Sequence, residues 1–488
     1  MPQPSFYPNF ASLKIAAWPS GRIKRGVIQY LFFLIGFLFW MPFQSWSQND
    51  KGVHHVKIRS LRFSGNKITK EPIILRELTI QEGDSLPVEF VESVLDFNKR
   101  RILNLQLFSK VDYCINNWDD DYIDIEYYLT EILYWLPSPI FQLADRNFNV
   151  WWVEENRRLD RTNIGLDIVR INFRGRNEKI GTTIQLGYNK YFDLEYVIPY
   201  IDKKLRHGLD LSVSYATGRE INFLTDSNKL RFYSSEKYPY KILKAKIGTT
   251  YRKGYASIHE LHLSYNRYEI SDELHTLNPD FLANQQRKMK YLELYYKYLY
   301  NNTDTRVYPT SGLELKLSAV KRGLLFDRDV NQFFVYTEGA YYKKLIRNIS
   351  SSLVFRGRFS FNHRQPYILD RAMGFRNEYV RGYEYFVIDG SHYAVLRGNL
   401  RYKIFDQVIS QRLLPIMRFI PFRVYAKIFD DIGYVYKVET GNSFLNNRLL
   451  NGYGVGLDII ISYYAKFRLE YSLNHLGQKG LFLHGTKE

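Results

Sequence analysis

The chain has 488 residues, a formal net charge of +18 and a 17% aromatic share that includes 41 tyrosines and 33 phenylalanines. A mean hydropathy of −0.34 excludes a bundle of membrane helices, and the single cysteine, Cys114, excludes an intramolecular disulfide or a thiolate metal cluster. The basic residues are spread through strand-like segments and form no patch, which argues against nucleic acid as a partner. Aromatic richness with modest hydropathy fits a transmembrane β-barrel, in which only alternate strand residues face lipid.

Arg22, Lys24 and Arg25 precede an apolar run from Val27 to Phe43, and Ser45 and Ser47 follow it. Basic, then apolar, then small-x-small is the order of a secretory signal, so residues 1–47 are expected to direct export, with cleavage near Ser47.

Residues 53–131 predict a small mixed domain. A strand carrying Val56, Ile58, Leu61 and Phe63 ends at Ser64–Asn66. A helix follows, with Thr69 as its N-cap and Pro72 in its first turn. Glu82–Pro87 reads as a turn. Val88, Val91, Val94, Leu95, Ile102 and Leu103 recur at helical spacing. Two strands, "FSKVDYCI" and "YIDIEYYL", close the unit across the polar Asn116–Asp121.

From residue 132 to 488 the pattern alternates. Leu209, Leu211, Val213 and Tyr215 oppose Asp210, Ser212 and Ser214; Leu313, Leu315 and Leu317 oppose Glu314, Lys316 and Ser318; Phe467, Leu469, Tyr471 and Leu473 share one face. Segments such as "TGREINFLTDSNK" and "SDELHTLNPD" read as polar connections. At about 22 residues per strand and connection this region holds about 16 strands. The expected fold is mainly β: a transmembrane antiparallel barrel over 132–488 behind one small α+β domain. The first barrel strand is placed near Pro139–Trp152, where Pro137 and Pro139 remove backbone donors. The last is placed within Tyr471–His484, where Gly477 and Gly480 weaken it.

Three motifs lie in fixed order: "TDTRVYPTSG" with Asp304, Arg306, Pro309 and Gly312; "VRGY", Val380, Arg381, Gly382 and Tyr383; and "FDDIG" with Phe429, Asp431 and Gly433. With "FSGN" and "LNLQLFSKV" in the small domain, which is similar to a POTRA module, and the glycines Gly452, Gly454 and Gly456, the chain resembles the BamA/TamA superfamily of outer-membrane barrels. The resemblance implies a 16-stranded barrel in the outer membrane and a periplasmic N-terminal domain. It implies an extracellular loop that folds into the lumen, where Arg381 meets Asp431; Asp430 points to the other strand face. A guanidinium suits such a contact because its fork can hold a carboxylate through two bonds.

The activity implied is insertion of other outer-membrane proteins or translocation of a polypeptide, with opening between the first and last strands. The implied partners are outer-membrane lipids, an unfolded outer-membrane or secreted client polypeptide, and periplasmic or lipoprotein subunits. A single POTRA-like unit, Asn399 where the family often carries glutamate, and only Gly374 upstream of the loop motif point to a side branch with a narrow client range. The alternative is a passive pore. No nucleophile elbow, metal-histidine pair or phosphate-binding glycine loop occurs in the sequence, so no catalytic residue, metal or cofactor is expected; His54 and His55 have no second ligand pair.

Overall fold

The computed structural model describes residues 54–119, 121–143, 159–324, 330–361, 365–375, 378–410, 419–461 and 465–487. The expected export signal over 1–47, and residues 144–152 of the expected first barrel strand, lie outside the described residues.

The N-terminal domain runs β1 (His55–Ser64), α1 (Glu71–Leu75), β2 (Ser85–Pro87), α2 (Val91–Leu103), β3 (Phe108–Trp118) and β4 (Tyr122–Glu131). Its sheet has the order β2-β1-β4-β3, with β1 and β4 parallel. Val56, Ile58, Val91, Leu95, Ile102, Ile123 and Ile125 form its core, the strands contributing alternate residues and α2 one face.

Two readings change here. Lys70, not Thr69, caps α1, and it does so without a side-chain bond. The Thr69 hydroxyl is taken by the Glu131 carboxylate at 2.6 Å and lies 2.8 Å from the Tyr134 hydroxyl. The end of the expected Glu82–Pro87 turn is a strand, because Ser85–Pro87 pairs with the free edge of β1.

The barrel follows. β5 (Trp135–Leu143) leaves the N-terminal domain and β6 (Thr162–Phe173) returns to it. β7 (Glu178–Gly187), β8 (Asn189–Ile198) and β9 (His207–Gly218) continue the meander. A separate hairpin, β10 (Glu220–Asp226) and β11 (Lys229–Ser234), precedes β12 (Tyr240–Tyr251), which rejoins beside β9. Then come β13 (Ser257–Ile270), α3 (Asp272–Leu277), β14 (Lys288–Asn301), β15 (Gly312–Arg322), β16 (Gln332–Ile346) and β17 (Ile349–Ser360). A long loop holds the short pair β18 (Arg371–Met373) and β19 (Ile388–Asp389). The sheet finishes with β20 (His392–Ser410), β21 (Phe419–Tyr436), β22 (Leu449–Ile461), β23 (Ala465–Asn474) and β24 (Lys479–Lys487). Sixteen strands form one antiparallel sheet from β5 to β24. The stretches expected as plain connections therefore hold the β10–β11 hairpin and α3. The first barrel strand starts at Trp135, so both prolines sit inside it. Gly477 lies in the turn before β24, at φ +76, and not in the last strand.

Period-two alternation sets the faces of the sheet. Leu211, Val213, Leu317, Phe467, Leu469 and Tyr471 are exposed on the outside, while Ser318, Glu470 and Ser472 are buried inside. An apolar belt of this extent on a folded surface calls for lipid or another apolar cover.

The N-terminal domain docks at one end of the barrel, the near end. Lys70 N–H donates to the Gly175 carbonyl at 3.0 Å, Asn172 Nδ2 donates to the Thr69 hydroxyl at 2.9 Å, and Arg76 Nε donates to the Leu205 carbonyl at 2.6 Å. Glu77 is the hub: Arg252 of the barrel binds it through two nitrogens at 2.6 and 2.9 Å, Arg101 at 2.9 Å and Arg76 at 3.6 Å. Burial works against the Glu77 charge, and Arg252, then Arg101 and Arg76, hold its pKa below the usual carboxylate range. Burial pushes the Arg101 guanidinium down to about 10 against the pull of Glu77, and the charges of Arg252 and Arg306 add to that push.

Candidate functional site

Between β18 and β19, the far-end loop folds back into the lumen. Val380, Tyr383, Met373 and Phe386 form an apolar core with Val395 of β20, Val435 of β21 and Leu450 of β22. That packing carries Arg381 to the wall. Its Nε donates to Asp431 Oδ2 at 2.8 Å and its second terminal nitrogen to Oδ1, a bidentate pair. The Arg381 backbone N–H also reaches Asp431 Oδ2, at 3.2 Å. The remaining terminal nitrogen donates to Asn399 Oδ1 at 2.8 Å and Glu470 Oε1 at 3.3 Å. The guanidinium lies 3.8 Å from the Phe429 ring centroid, a stacking contact that favours arginine over lysine.

Glycines make room for this approach. Gly382 holds φ +91, a conformation that costs other residues energy, and its carbonyl accepts from Asn474 Nδ2 at 2.7 Å. A Cβ at position 452 would stand 1.8 Å from the Arg381 carbonyl oxygen, and one at 433 would stand 2.3 Å from the Val380 side chain. Tyr383 donates its hydroxyl to the Asn451 carbonyl at 3.2 Å and contacts His475. Asp430, on the opposite strand face from Asp431, accepts from Asn451 Nδ2 at 2.7 Å.

The "TDTRVYPTSG" motif is a near-end turn, between β14 and β15, that also folds inward. Asp304 organises it, accepting from Thr310 N–H at 2.9 Å and from the Thr310 hydroxyl at 2.6 Å. Gly312 opens β15 at φ +109, and the Pro309 carbonyl accepts from Arg401 at 2.9 Å. Tyr308 packs on Tyr425 and donates to Asp458 Oδ2 at 2.6 Å. Lys427 then bridges Asp458 at 2.6 Å and Glu470 at 2.7 Å. A continuous polar chain thus runs from Tyr308 through Asp458, Lys427 and Glu470 to Arg381. Arg306 stands apart from the other motif residues and lines a cavity of about 610 Å³ between the two inward segments.

Lys427, Asp458, Glu470 and Asn474 did not emerge from the sequence. Each occupies an inward parity position, which was legible, but their partners lie on other strands. Asn399 keeps an acceptor where the resemblance implies glutamate, and Glu470 supplies the second carboxylate.

At the far end, Asp389 sits buried in the same loop. Burial pushes its carboxyl up to about 6, with Lys437 opposing.

The two ends of the sheet are not alike. Among the described residues no ladder joins β5 to β24. Ile171 N–H donates to the Tyr134 carbonyl at 2.9 Å, which fixes the antiparallel parity: residues 136, 138 and 140 bond to β6, and 135, 137, 139 and 141 present their backbone to the free side. Pro137 and Pro139 therefore remove two donors from that free edge. On β24, Asn474 N–H donates to the Gln478 carbonyl at 3.0 Å. Residues 479, 481 and 483 then face outward with donors intact.

Comparison with known proteins matches residues 172–479 to the Omp85 superfamily domain and residues 56–131 to a POTRA family, the surface antigen variable number repeat. Among solved structures, BamA from Haemophilus ducreyi lacking POTRA domains 1–3 is similar, with 16% identity, a TM-score of 0.50 and coverage of 89% of this chain and 85% of that one. CdiB from Acinetobacter baumannii aligns at 13% identity and a TM-score of 0.46 over 88% of this chain and 73% of that one. CdiB from Escherichia coli aligns at 10% identity and a TM-score of 0.46 over 94% and 97%. No curated protein matches the chain. With the family domain spanning most of the barrel behind a POTRA module, this chain is a member of the Omp85 superfamily.

Proposed function

We propose that this protein is an outer-membrane barrel that assists insertion of other outer-membrane proteins or carries a polypeptide across the outer membrane. Its N-terminal domain would lie in the periplasm, which makes the near end periplasmic and the Arg381 loop extracellular. The observation that carries this reading is the contrast between a lumen entered by folded segments from both ends and a sheet whose end strands β5 and β24 are joined by no ladder among the described residues. A solute pore needs an open lumen. A polypeptide handler needs an edge on which strands can pair, and β5 and β24 offer such edges.

In this reading, Arg381 and Asp431 hold the extracellular loop in place until the seam opens, and lipid covers the outer belt. Unfolded client polypeptide would be the substrate, with periplasmic or lipoprotein subunits as further partners. A dedicated client fits the single POTRA unit.

The test is a disulfide engineered across the β5–β24 seam in a variant lacking Cys114. Locking is expected to abolish client assembly and reduction to restore it. Undiminished assembly in the locked protein would overturn seam opening. In a depletion strain, loss of one surface or secreted protein indicates a dedicated transporter and broad loss of barrels indicates general assembly. An unchanged outer membrane, with steady conductance indifferent to Arg381→Ala, would return the reading to a passive pore.

A further inference from the structure

We propose that the cavity between the two inward segments is an anion-binding site for a compact phosphate-bearing polyanion. It does not depend on the transport reading above.

Nine lysine and arginine side chains line this cavity against four carboxylates: Glu314, Glu338, Glu384 and Asp458. Asp431 and Glu470, behind the lining, are engaged with Arg381 and Lys427. Lys316 and Arg356 are met by Glu338. Arg306 and Arg401 have no carboxylate at ion-pair distance among the described residues. Arg401 donates only to neutral acceptors, the Pro309 carbonyl and the Ser352 hydroxyl, each at 2.9 Å, and its Nε is buried without an acceptor. Arg468 stands 3.9 Å from Asp458, and its Nε is likewise unmatched.

Arg401 is buried, and a buried cation is costly without a counter-charge; Arg306 is exposed to the cavity it lines, and low-dielectric barrel walls strengthen the field of both. Forked guanidiniums suit phosphate oxygens in particular. The near mouth continues the same field: Arg76, Arg101 and Arg252 share the single carboxylate Glu77.

The experiment is calorimetric titration of inorganic pyrophosphate into purified protein in neutral phosphatidylcholine nanodiscs at low salt. Saturable binding is expected. Arg306→Ala, which breaks no side-chain hydrogen bond or ion pair among the described residues, should weaken it roughly tenfold, the worth of one charge-assisted contact. Arg306→Ala with Arg401→Ala should weaken it further, while Lys229→Ala, on the exposed far-end hairpin, should leave it unchanged. Competition by phosphatidylglycerol nanodiscs would assign the site to a lipid headgroup, and indifference to them would assign it to a soluble phosphate. Absence of saturable pyrophosphate binding to the folded wild-type protein, or equal binding by Arg306→Ala, overturns the proposal.

Discussion

Replacing Arg381 with alanine removes the side chain that ties the far-end loop to the wall. Asp431, fully buried, would keep only the backbone N–H of residue 381 at 3.2 Å and the Arg397 guanidinium at 3.7 Å. Glu470 would keep Lys427 at 2.7 Å. Breaking a buried pair costs about 3–5 kcal/mol when nothing replaces the partner; with these residual contacts, about 2–3 kcal/mol is expected for loop release. Asp431→Ala should cost about the same, because Arg381 still has Asn399 and Glu470 but loses its bidentate anchor. The double variant should cost little more than either single, a coupling of about 2 kcal/mol, within the range seen for contacting residues. The assay is maleimide labelling of Val380→Cys, a buried position, in a background lacking Cys114. Its rate reports the free energy of loop opening. Each single change should speed labelling about thirty- to one-hundred-and-sixtyfold, and the double should match them. Labelling in the double variant equal to the product of the two singles would refute the pairing.

Gly452→Ala places a methyl group against the Arg381 carbonyl and should release the loop as Arg381→Ala does, in the same labelling assay, while the barrel stays folded by heat-modified gel mobility. Glu77→Gln leaves Arg76, Arg101 and Arg252 without their shared carboxylate. It should detach the N-terminal domain from the barrel, read as a broadened distance distribution between spin labels on the two; an unchanged distribution would count against the hub. Asp389 binds its proton more tightly folded than unfolded, so its contribution to loop stability is full below about 4 and lost as pH rises through about 6, roughly 2–3 kcal/mol in all. Loop labelling, normalised at each pH to the rate of a fully exposed cysteine, should therefore be slower at pH 4 than at pH 7.5, and Asp389→Asn should remove that residual dependence. Pro137→Val with Pro139→Val restores two seam donors, about 2 kcal/mol, and should slow β24 amide exchange roughly thirtyfold.

The alternation of Leu211 and Val213 with Asp210 and Ser212 is a local pattern, so strand faces and barrel class could be read along the chain. The motif loop and its wall carboxylate could be read too, through resemblance. What could not be read depends on distant partners. Thr69 has the composition of an N-cap, but its hydroxyl is claimed by Glu131 on β4. The polar composition of "TGREINFLTDSNK" masked a hairpin whose turn, Ser227 and Asn228 at φ +50 and +61, is the local signal that could have revealed it. Glu470 shows the same limit: its inward parity is plain, yet the choice of Arg381 and Lys427 as partners is made by the neighbouring strands.

The polar chain from Tyr308 to Arg381 runs along β21, β22 and β23, and β23 is next to the free-edged β24. The far-end and near-end stoppers therefore share one latch, and that latch is bolted to the doorpost rather than to the far wall. If the seam parts as proposed, peeling β24 outward would pull on Glu470 of the neighbouring β23, and parting the seam and loosening both stoppers would be a single mechanical event.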